Sequence, residues 1–341
     1  MPETKVRSGQ LGTALTSKTI DSTNTISTDL TKLTIAGGTN GQVLSTNGSG
    51  ALSFITASGG GGQVQVDKFS SSGTWTKPAW AKLVTVYLLA GGSGGGSGQR
   101  NATTLGRGGG GGGAGSMYTG FVGQASDFTS TVTVTVGAGG AGGASITTNS
   151  TVGNNGGTGG ASSFGTYKVT GTNSGGQGGL VGTSTGGYTN ANNLGWIYLG
   201  FQDFVGYGGS LTQATSRTST INFLGSLGAT GGSGAGPNST TLQGGSSHQP
   251  SNWPSQFPNW AYGASGTNGG AGGNGSNNPL GYLLFGSAGG GGSYKTGQAT
   301  GAGGNGGYGA GGGGGAASDN GFASGAGGNG GGGLVIVISE G

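Results

Sequence analysis

The sequence predicts an all-β, irregular fold: a small β-framework carrying a bundle of polyglycine II helices. Three observations lead there. Ninety-four of the 341 residues are glycine, and they fall in blocks with Gly at two of every three positions. Gly269–Gly275 reads GGAGGNG, Gly325–Gly333 reads GAGGNGGGG and Gly301–Gly315 reads GAGGNGGYGAGGGGG. Short apolar, β-branched runs are interleaved with these blocks, and stretches of helix formers at period 3.6 are absent. A period of three with two side-chain-free positions suits the left-handed threefold helix, which rises about 3.1 Å per residue. That helix has no internal hydrogen bonds, and glycine loses more freedom on ordering than any other residue. The reading therefore requires many rods side by side, bonded laterally through amides with no Cβ between them. Fifteen residues would span about 45 Å.

The elements follow in order. Residues 1–62 are Ser/Thr-rich, with Leu30–Ile35 alternating, a turn at Gly37–Gly41, extended chain at Gln42–Ser45, a turn at Asn47–Gly50 and a further strand at Ala51–Thr56. Short strands with Asn-Gly turns indicate β-structure. So little apolar mass closes no core in one copy, so this segment is expected to be a stalk sharing a core with other copies. Ser58–Gly62 is a joint, and residues 63–341 form the second domain. Gln63–Phe69 alternates cleanly, Thr74–Lys77 leads to Pro78, and Leu83–Ala90 (LVTVYLLA) becomes wholly apolar, as a strand covered on both faces does. Tyr118–Gly123, Thr129–Val136 and Ser163–Thr170 read as further strands. Leu334–Ser339 (LVIVIS) closes the chain and is expected to pair with the strand that opens the glycine-rich region.

Three tracts lack the triplet: 188–227, 245–264 and 277–285. The first holds Trp196, Tyr198, Phe201, Phe204 and Tyr207; the second holds His248, Trp253, Phe257, Trp260 and Tyr262 among three prolines. The aromatics either plug gaps that a glycine bundle leaves, or emerge with the loops at one end for stacking on sugars or on a cell-surface protein. Prolines and polar spacers incline Trp253, Phe257 and Trp260 to recognition, and Tyr262, Trp196, Tyr198 and Phe201 are candidate receptor contacts beside them.

Composition narrows the function. Prolines lie outside the Gly-only runs and Gly is too frequent, so collagen is excluded. Ten Tyr, 11 Phe, 5 Trp and 30% apolar residues oppose a disordered linker. Charged residues make up 6% of the chain, the net charge is +4 and the Lys and Arg are dispersed, which gives no footprint for nucleic acid. Cysteine is absent and there is one His, so neither disulfides nor a zinc site are expected, and no cofactor is implied. GAGGAG at Gly137–Gly142 fits the dinucleotide pattern by letter only, since no helix follows. No apolar run approaches the roughly 20 residues that span a membrane, and MPETKVRSGQ lacks a secretory core, so synthesis in a cytoplasm is expected. Catalytic constellations are sparse. A pair drawn from Asp127, Asp203 and Asp319 could act on a glycan, against the blander reading that they cap turns.

The ordered pieces Phe69, SGTWTKP (Ser72–Pro78), LVTVYLLAGGSGGGSG, GRGGGGGGAG (Gly106–Gly115), VTVTVGAGGAGG (Val132–Gly143), GGTGGASSFG (Gly156–Gly165) and GGNGGGGLVIVIS (Gly327–Ser339) resemble the glycine-rich domain of bacteriophage tail fibre and tail tip proteins. They span about residues 69–339, and Leu30–Thr56 resembles stalk sequence of phage structural proteins. The resemblance implies a non-enzymatic virion fibre protein, a homotrimer attached to tail or baseplate proteins by its N-terminal part. Its loops would face a bacterial surface glycan or outer-membrane protein. A shaft without receptor contact, a capsule or lipopolysaccharide depolymerase, and an ice-binding surface are the rival expectations.

Overall fold

The computed structural model describes residues 39, 42–46, 49, 52–56, 62–172, 174–180, 229–237, 239–246, 263–277 and 286–341. The chain divides into two compact units, Met1–Gly61 and Gly62–Gly341. In the first, β1 (Gln42–Thr46) and β2 (Leu52–Thr56) pair antiparallel from Gln42↔Thr56 to Thr46↔Leu52. Val43, Leu44, Leu52 and Ile55 are exposed. The hairpin has apolar side chains and, among the described residues, nothing to bury them.

The second unit is all-β, with only a 3-10 turn at Ala125–Asp127 among its described residues. Its strands are β3 (Val64–Phe69), β4 (Gly73–Thr76), β5 (Leu83–Leu89), β6 (Arg100–Asn101), β7 (Tyr118–Gln124), β8 (Thr131–Thr135), β9 (Ser162–Phe164), β10 (Tyr167–Val169), β11 (Thr241–Leu242), β12 (Tyr294–Lys295), β13 (Ser318–Asp319) and β14 (Leu334–Glu340). Two four-stranded sheets, in the orders β3-β14-β5-β7 and β10-β9-β8-β4, make the frame; neither closes into a barrel. The strands flanking the glycine-rich region do pair. β5 and β14 run antiparallel from Leu83↔Glu340 to Leu89↔Leu334. Alternate residues Val84, Val86 and Leu88 face Trp75, Val134 and Phe164 in one core, while Leu89 joins Tyr118, Ala288 and Ala310 in another. The change from alternating to continuous apolar character marks where β5 passes under the glycine bundle. Ser163–Thr170, read as one strand, is a hairpin of β9 and β10 instead. Gly165 sits between them at φ 57, a conformation glycine adopts freely, and the chain reverses there.

The glycine blocks form rods whose hydrogen bonds repeat every three residues. In rod 1 (91–99), Gly91, Gly94 and Ser97 donate to Gly160, Gly157 and Asn154. Gly92, Gly95 and Gly98 donate to Gly331, Gly328 and Gly325, while Ser93 and Gly96 donate to Ala114 and Gly111. Successive amides thus point to three different neighbours, as a threefold backbone requires. Carbonyls of the same rod accept from three more: Gly140 donates to Gly92, Gly176 to Gly94 and Gly312 to Ser93.

The remaining rods are, in chain order, rod 2 (107–115), rod 3 (137–143), rod 4 (151–160), rod 5 (174–179), rod 6 (229–235), rod 7 (243–246), rod 8 (263–266), rod 9 (270–276), rod 10 (286–293), rod 11 (301–307), rod 12 (309–317) and rod 13 (325–333). Their bonds arrange them in three layers. One layer holds rods 3, 13, 11 and 9; the middle holds rods 4, 1, 12, 10 and 8; the last holds rods 5, 2, 6 and 7. Rods 1, 10 and 12 each bond six neighbours. Position in this lattice accounts for the sequence. Rods 1, 10 and 12 carry only Gly, Ala and Ser, with Gln99 at one end. The first layer keeps the strict triplet, its third residue facing outward as Ala138 and Ala141, Ala271 and Asn274, Ala302 and Asn305, and Ala326 and Asn329.

Candidate functional site

The rods have two ends. The sheet end is where rod 1 leaves β5 and rod 13 enters β14. Gly62 and Gly341 lie beyond it, at the far edge of the β3-β14 pair, where Gly341 donates to Gln63. At the other end six turns join neighbouring rods: 101–107, 144–151, 236–241, 267–270, 295–300 and 319–324. This turn end is the candidate site, because it lies opposite the point where the chain enters the domain.

Local chemistry builds the turns. Ser150 and Asn268 adopt φ 54, and Gly269, Gly297 and Gly321 also have positive φ. Small polar residues and glycine tolerate that region best. Asn side chains staple turns together: Ser150 N donates to Asn320 Oδ1 and Gly321 N to Asn149 Oδ1, both at 3.0 Å, while Asn320 N donates to Asn101 O at 2.9 Å. Arg100, Arg107 and Asp319 are buried here and Lys295 is half-buried, and four apolar side chains stand out. Leu105, Val152, Leu180 and Phe322 are exposed, and all flank the end of rod 1.

Beneath the turns lies a buried ionic cluster. Arg107 Nη1 stands 3.4 Å from Asp319 Oδ1. Its Nη2 donates to the Tyr294 hydroxyl at 3.1 Å, and that hydroxyl donates to Asp319 Oδ1 at 2.8 Å. Thr296 Oγ1 and Gly297 N complete the carboxylate at 3.2 and 2.9 Å. The guanidinium also lies over the Tyr294 ring, 5.2 Å from its centroid. Burial pushes the Tyr294 phenol above 10.0, its ordinary value; the Thr296 hydrogen bond opposes this, Asp319 raises it and Arg107 lowers it. Arg107, Tyr294 and Asp319 are buried, so the cluster clamps the starts and ends of rods 2, 10 and 12.

The sequence-predicted contact residues Trp196, Tyr198, Phe201, Trp253, Phe257, Trp260 and Tyr262 lie outside the described residues, as does His248. Their tracts are anchored by described residues. Gly245 donates to Gly231 and Gly263 to Ala288; Tyr308 N donates to Asn277 Oδ1 and Gly286 N to Tyr308 O. The roots of 247–262 and 278–285 are therefore at the sheet end. Residues 181–228 leave rod 5 at the turn end, near Ser97, and return as rod 6 at the sheet end, near Gly113. Asp127 and Asp319, considered above as a glycan-cleaving pair, are not brought together. Asp127 accepts from Gln124 N at 3.1 Å beside β7, where it caps the 3-10 turn, and Asp319 is buried at the opposite end. Asp203 lies outside the described residues. No three His, Cys, Asp or Glu among the described residues could hold a metal ion.

A family model described as a glycine-rich domain matches residues 66–340. The chain belongs to that family. The match takes in every rod of this glycine-rich domain and its β-frame from Val66 of β3 onward, and it ends where β14 ends. No curated protein matches the chain.

Sequence reasoning missed the cluster of Arg107, Tyr294 and Asp319, whose members are 187 and 25 residues apart in pairs. One signal was present. In a chain with so few ions, an Arg opening one Gly-only run (Arg107) and an Asp ending another (Asp319) mark rod ends.

Proposed function

We propose that the protein is a bacteriophage tail fibre protein that attaches the virion to the host-cell surface by binding alone. One observation carries this reading: the entry point of the glycine-rich domain and its six turns lie at opposite ends of a backbone-bonded bundle. Such a body holds short loops at a fixed distance and orientation with little entropy left to lose on binding. Residues 1–62 serve as the stalk, joining tail or baseplate proteins and trimerising the chain. The exposed Val43, Leu44, Leu52 and Ile55 of its hairpin are what a shared core would cover. The partner is a surface glycan or outer-membrane protein, met by the turn end, where residues 181–228 with Trp196, Tyr198 and Phe201 leave rod 5; the tract with Trp253, Phe257, Trp260 and Tyr262 is rooted at the sheet end and adds a separate contact from there.

Adsorption tests this. The purified protein is expected to bind intact host cells and to compete with the virus for them. Absence of both effects would reduce the protein to a shaft. Deleting 247–262, which leaves rods 7 and 8 whole, is expected to weaken adsorption while assembly proceeds; unchanged adsorption would remove that tract from the site. Light scattering on the intact chain is expected to give the mass of three copies. Release of oligosaccharide from capsule or lipopolysaccharide would replace binding alone with cleavage.

A further inference from the structure

The outer face of the layer formed by rods 3, 13, 11 and 9 has no part in the attachment reading, and its chemistry is specific. Asn274, Asn305 and Asn329 stand at one level on adjacent rods, all exposed. Each lends its side-chain oxygen to the next rod: Asn305 N donates to Asn274 Oδ1, Asn329 N to Asn305 Oδ1 and Gly142 N to Asn329 Oδ1, each at 2.8 Å. These bonds satisfy amides that the lattice would otherwise leave without an acceptor at its surface. They also fix the carboxamides, so three Nδ2 groups stand exposed in a row that crosses the rods. A carboxamide nitrogen has two protons to donate. Ala271, Ala302 and Ala326 flank the row on one side; Asn277 and the half-exposed ring of Tyr308 flank it on the other. No outward position of the four rods is charged.

We infer that this face binds a neutral, hydroxyl-rich polysaccharide lying across the rods, with its oxygens accepting from the Asn274, Asn305 and Asn329 carboxamides. A repeating array of fixed donors matches a repeating ligand, and rigidity spares the ordering cost on the protein side. Methyl groups and a tyrosine edge suit the apolar faces of sugar rings. No outward position of the rods supplies a counter-charge for an anionic polymer; Lys68 Nζ, from β3, lies over the Tyr308 ring at the sheet-side margin of the face, 5.5 Å from its centroid. A second copy of the face would meet the Nδ2 donors with oxygens that each already accept one backbone amide and keep a single lone pair, a poorer match than hydroxyl oxygens.

The test uses the full chain and isolated glycans, lipid-free neutral O-polysaccharide from the host and dextran, titrated calorimetrically. The variant Asn274→Asp/Asn305→Asp/Asn329→Asp keeps an oxygen for each backbone amide and removes the Nδ2 donors. The wild type is expected to bind at least one glycan and the variant to bind it at least about tenfold more weakly, with an unchanged melting temperature. Should the variant fold poorly, Ala302→Arg supplies the second arm, since that outward methyl makes no side-chain hydrogen bond; it is expected to block binding likewise. Equal binding by a folded variant overturns the inference. So does a wild type that binds neither glycan, or a change in solution mass without a change in glycan binding, which would make the face a self-contact. Because the ligand is isolated polysaccharide, failure here leaves the cell-adsorption result standing, and failure of adsorption leaves this titration standing.

Discussion

Trp75 and Gly95 are both buried, by opposite means. Trp75 packs with its ring centroid 5.3 Å from Phe164 and 6.4 Å from Phe128, and its Nε1 donates to Asp67 at 3.1 Å. Gly95, in the middle of rod 1, has no side chain; its amide donates to Gly328 and its carbonyl accepts from Gly143. The β-frame is held by apolar area removed from water, at about 25 cal/mol per Å². The bundle is held by main-chain bonds worth about 1 kcal/mol each, net, plus backbone contact at distances a Cβ would forbid. The frame can exchange volume among side chains. The glycine positions of an enclosed rod can exchange nothing, since every atom there is common to all residues. Its specificity is therefore negative: it resides in where side chains are missing.

The sharpest way to break the comparison is to add one methyl group. A Cβ on Gly95 would run into the carbonyl of Gly313, a backbone atom of rod 12 that cannot rotate away. Gly95→Ala is expected to separate rods 1 and 12 and abolish folding of the bundle, beyond the usual 1–3 kcal/mol or so of overpacking. Loss of the main thermal transition, or fast amide exchange through rods 1, 12 and 13, would register it. In the frame the matching experiment removes atoms. Trp75→Ala is expected to cost about 3–5 kcal/mol, read by denaturant unfolding, with the bundle exchanging slowly up to that transition. A Gly95→Ala protein as stable as the wild type would mean that the rods do not depend on close approach.

This contrast also explains what was legible. The triplet period gave away the rods, and the apolar runs at Leu83–Ala90 and Leu334–Ser339 gave away the strands that pair, because both are local patterns with a single backbone solution. The lattice was not legible. Whether a block such as Gly289–Gly292 lies inside or outside depends on which rods surround it, and glycines carry no mark of their partners. Pure-Gly runs and Gly-Gly-X runs do differ, and rods 10 and 12 against rods 9, 11 and 13 show that difference to be enclosed against outward-facing. The turn-end cluster was hidden for another reason. Arg107, Tyr294 and Asp319 meet only because three rods end at one level. The contact residues read from composition lie outside the described residues, while the anchors of their tracts divide between the two ends.

Smaller effects refine the boundary between the two regimes at the ionic cluster, where charged and aromatic side chains clamp the rod ends. Tyr294→Phe removes the hydroxyl shared by Arg107, Thr296 and Asp319, and is expected to cost about 1–3 kcal/mol. The pH dependence has a definite sign. The folded phenol ionises above 10.0, its unfolded value, so the folded state retains a proton that the unfolded chain releases. That contribution is complete below pH 10 and fades as pH rises from there towards the folded-state value. Melting temperature against pH is expected to fall more steeply above pH 10 for the wild type than for Tyr294→Phe. Parallel curves would show that Tyr294 is not the group responsible.

The smallest expected effect is the most informative about the lattice. Ala141 sits at the outward position of rod 3, exposed, and its carbonyl accepts from Gly157 while its methyl points away from every rod. Ala141→Ser adds an atom, as Gly95→Ala does, yet is expected to change stability by no more than about 0.5 kcal/mol in unfolding measurements. The two substitutions lie in adjacent rods, and Gly143, two residues beyond Ala141, bonds to Gly95 directly. Rod 1 is enclosed and rod 3 lies in an outer layer, so the pair sets an inward added atom against an outward one, and a large loss for Ala141→Ser would mean that the outer layer is itself covered.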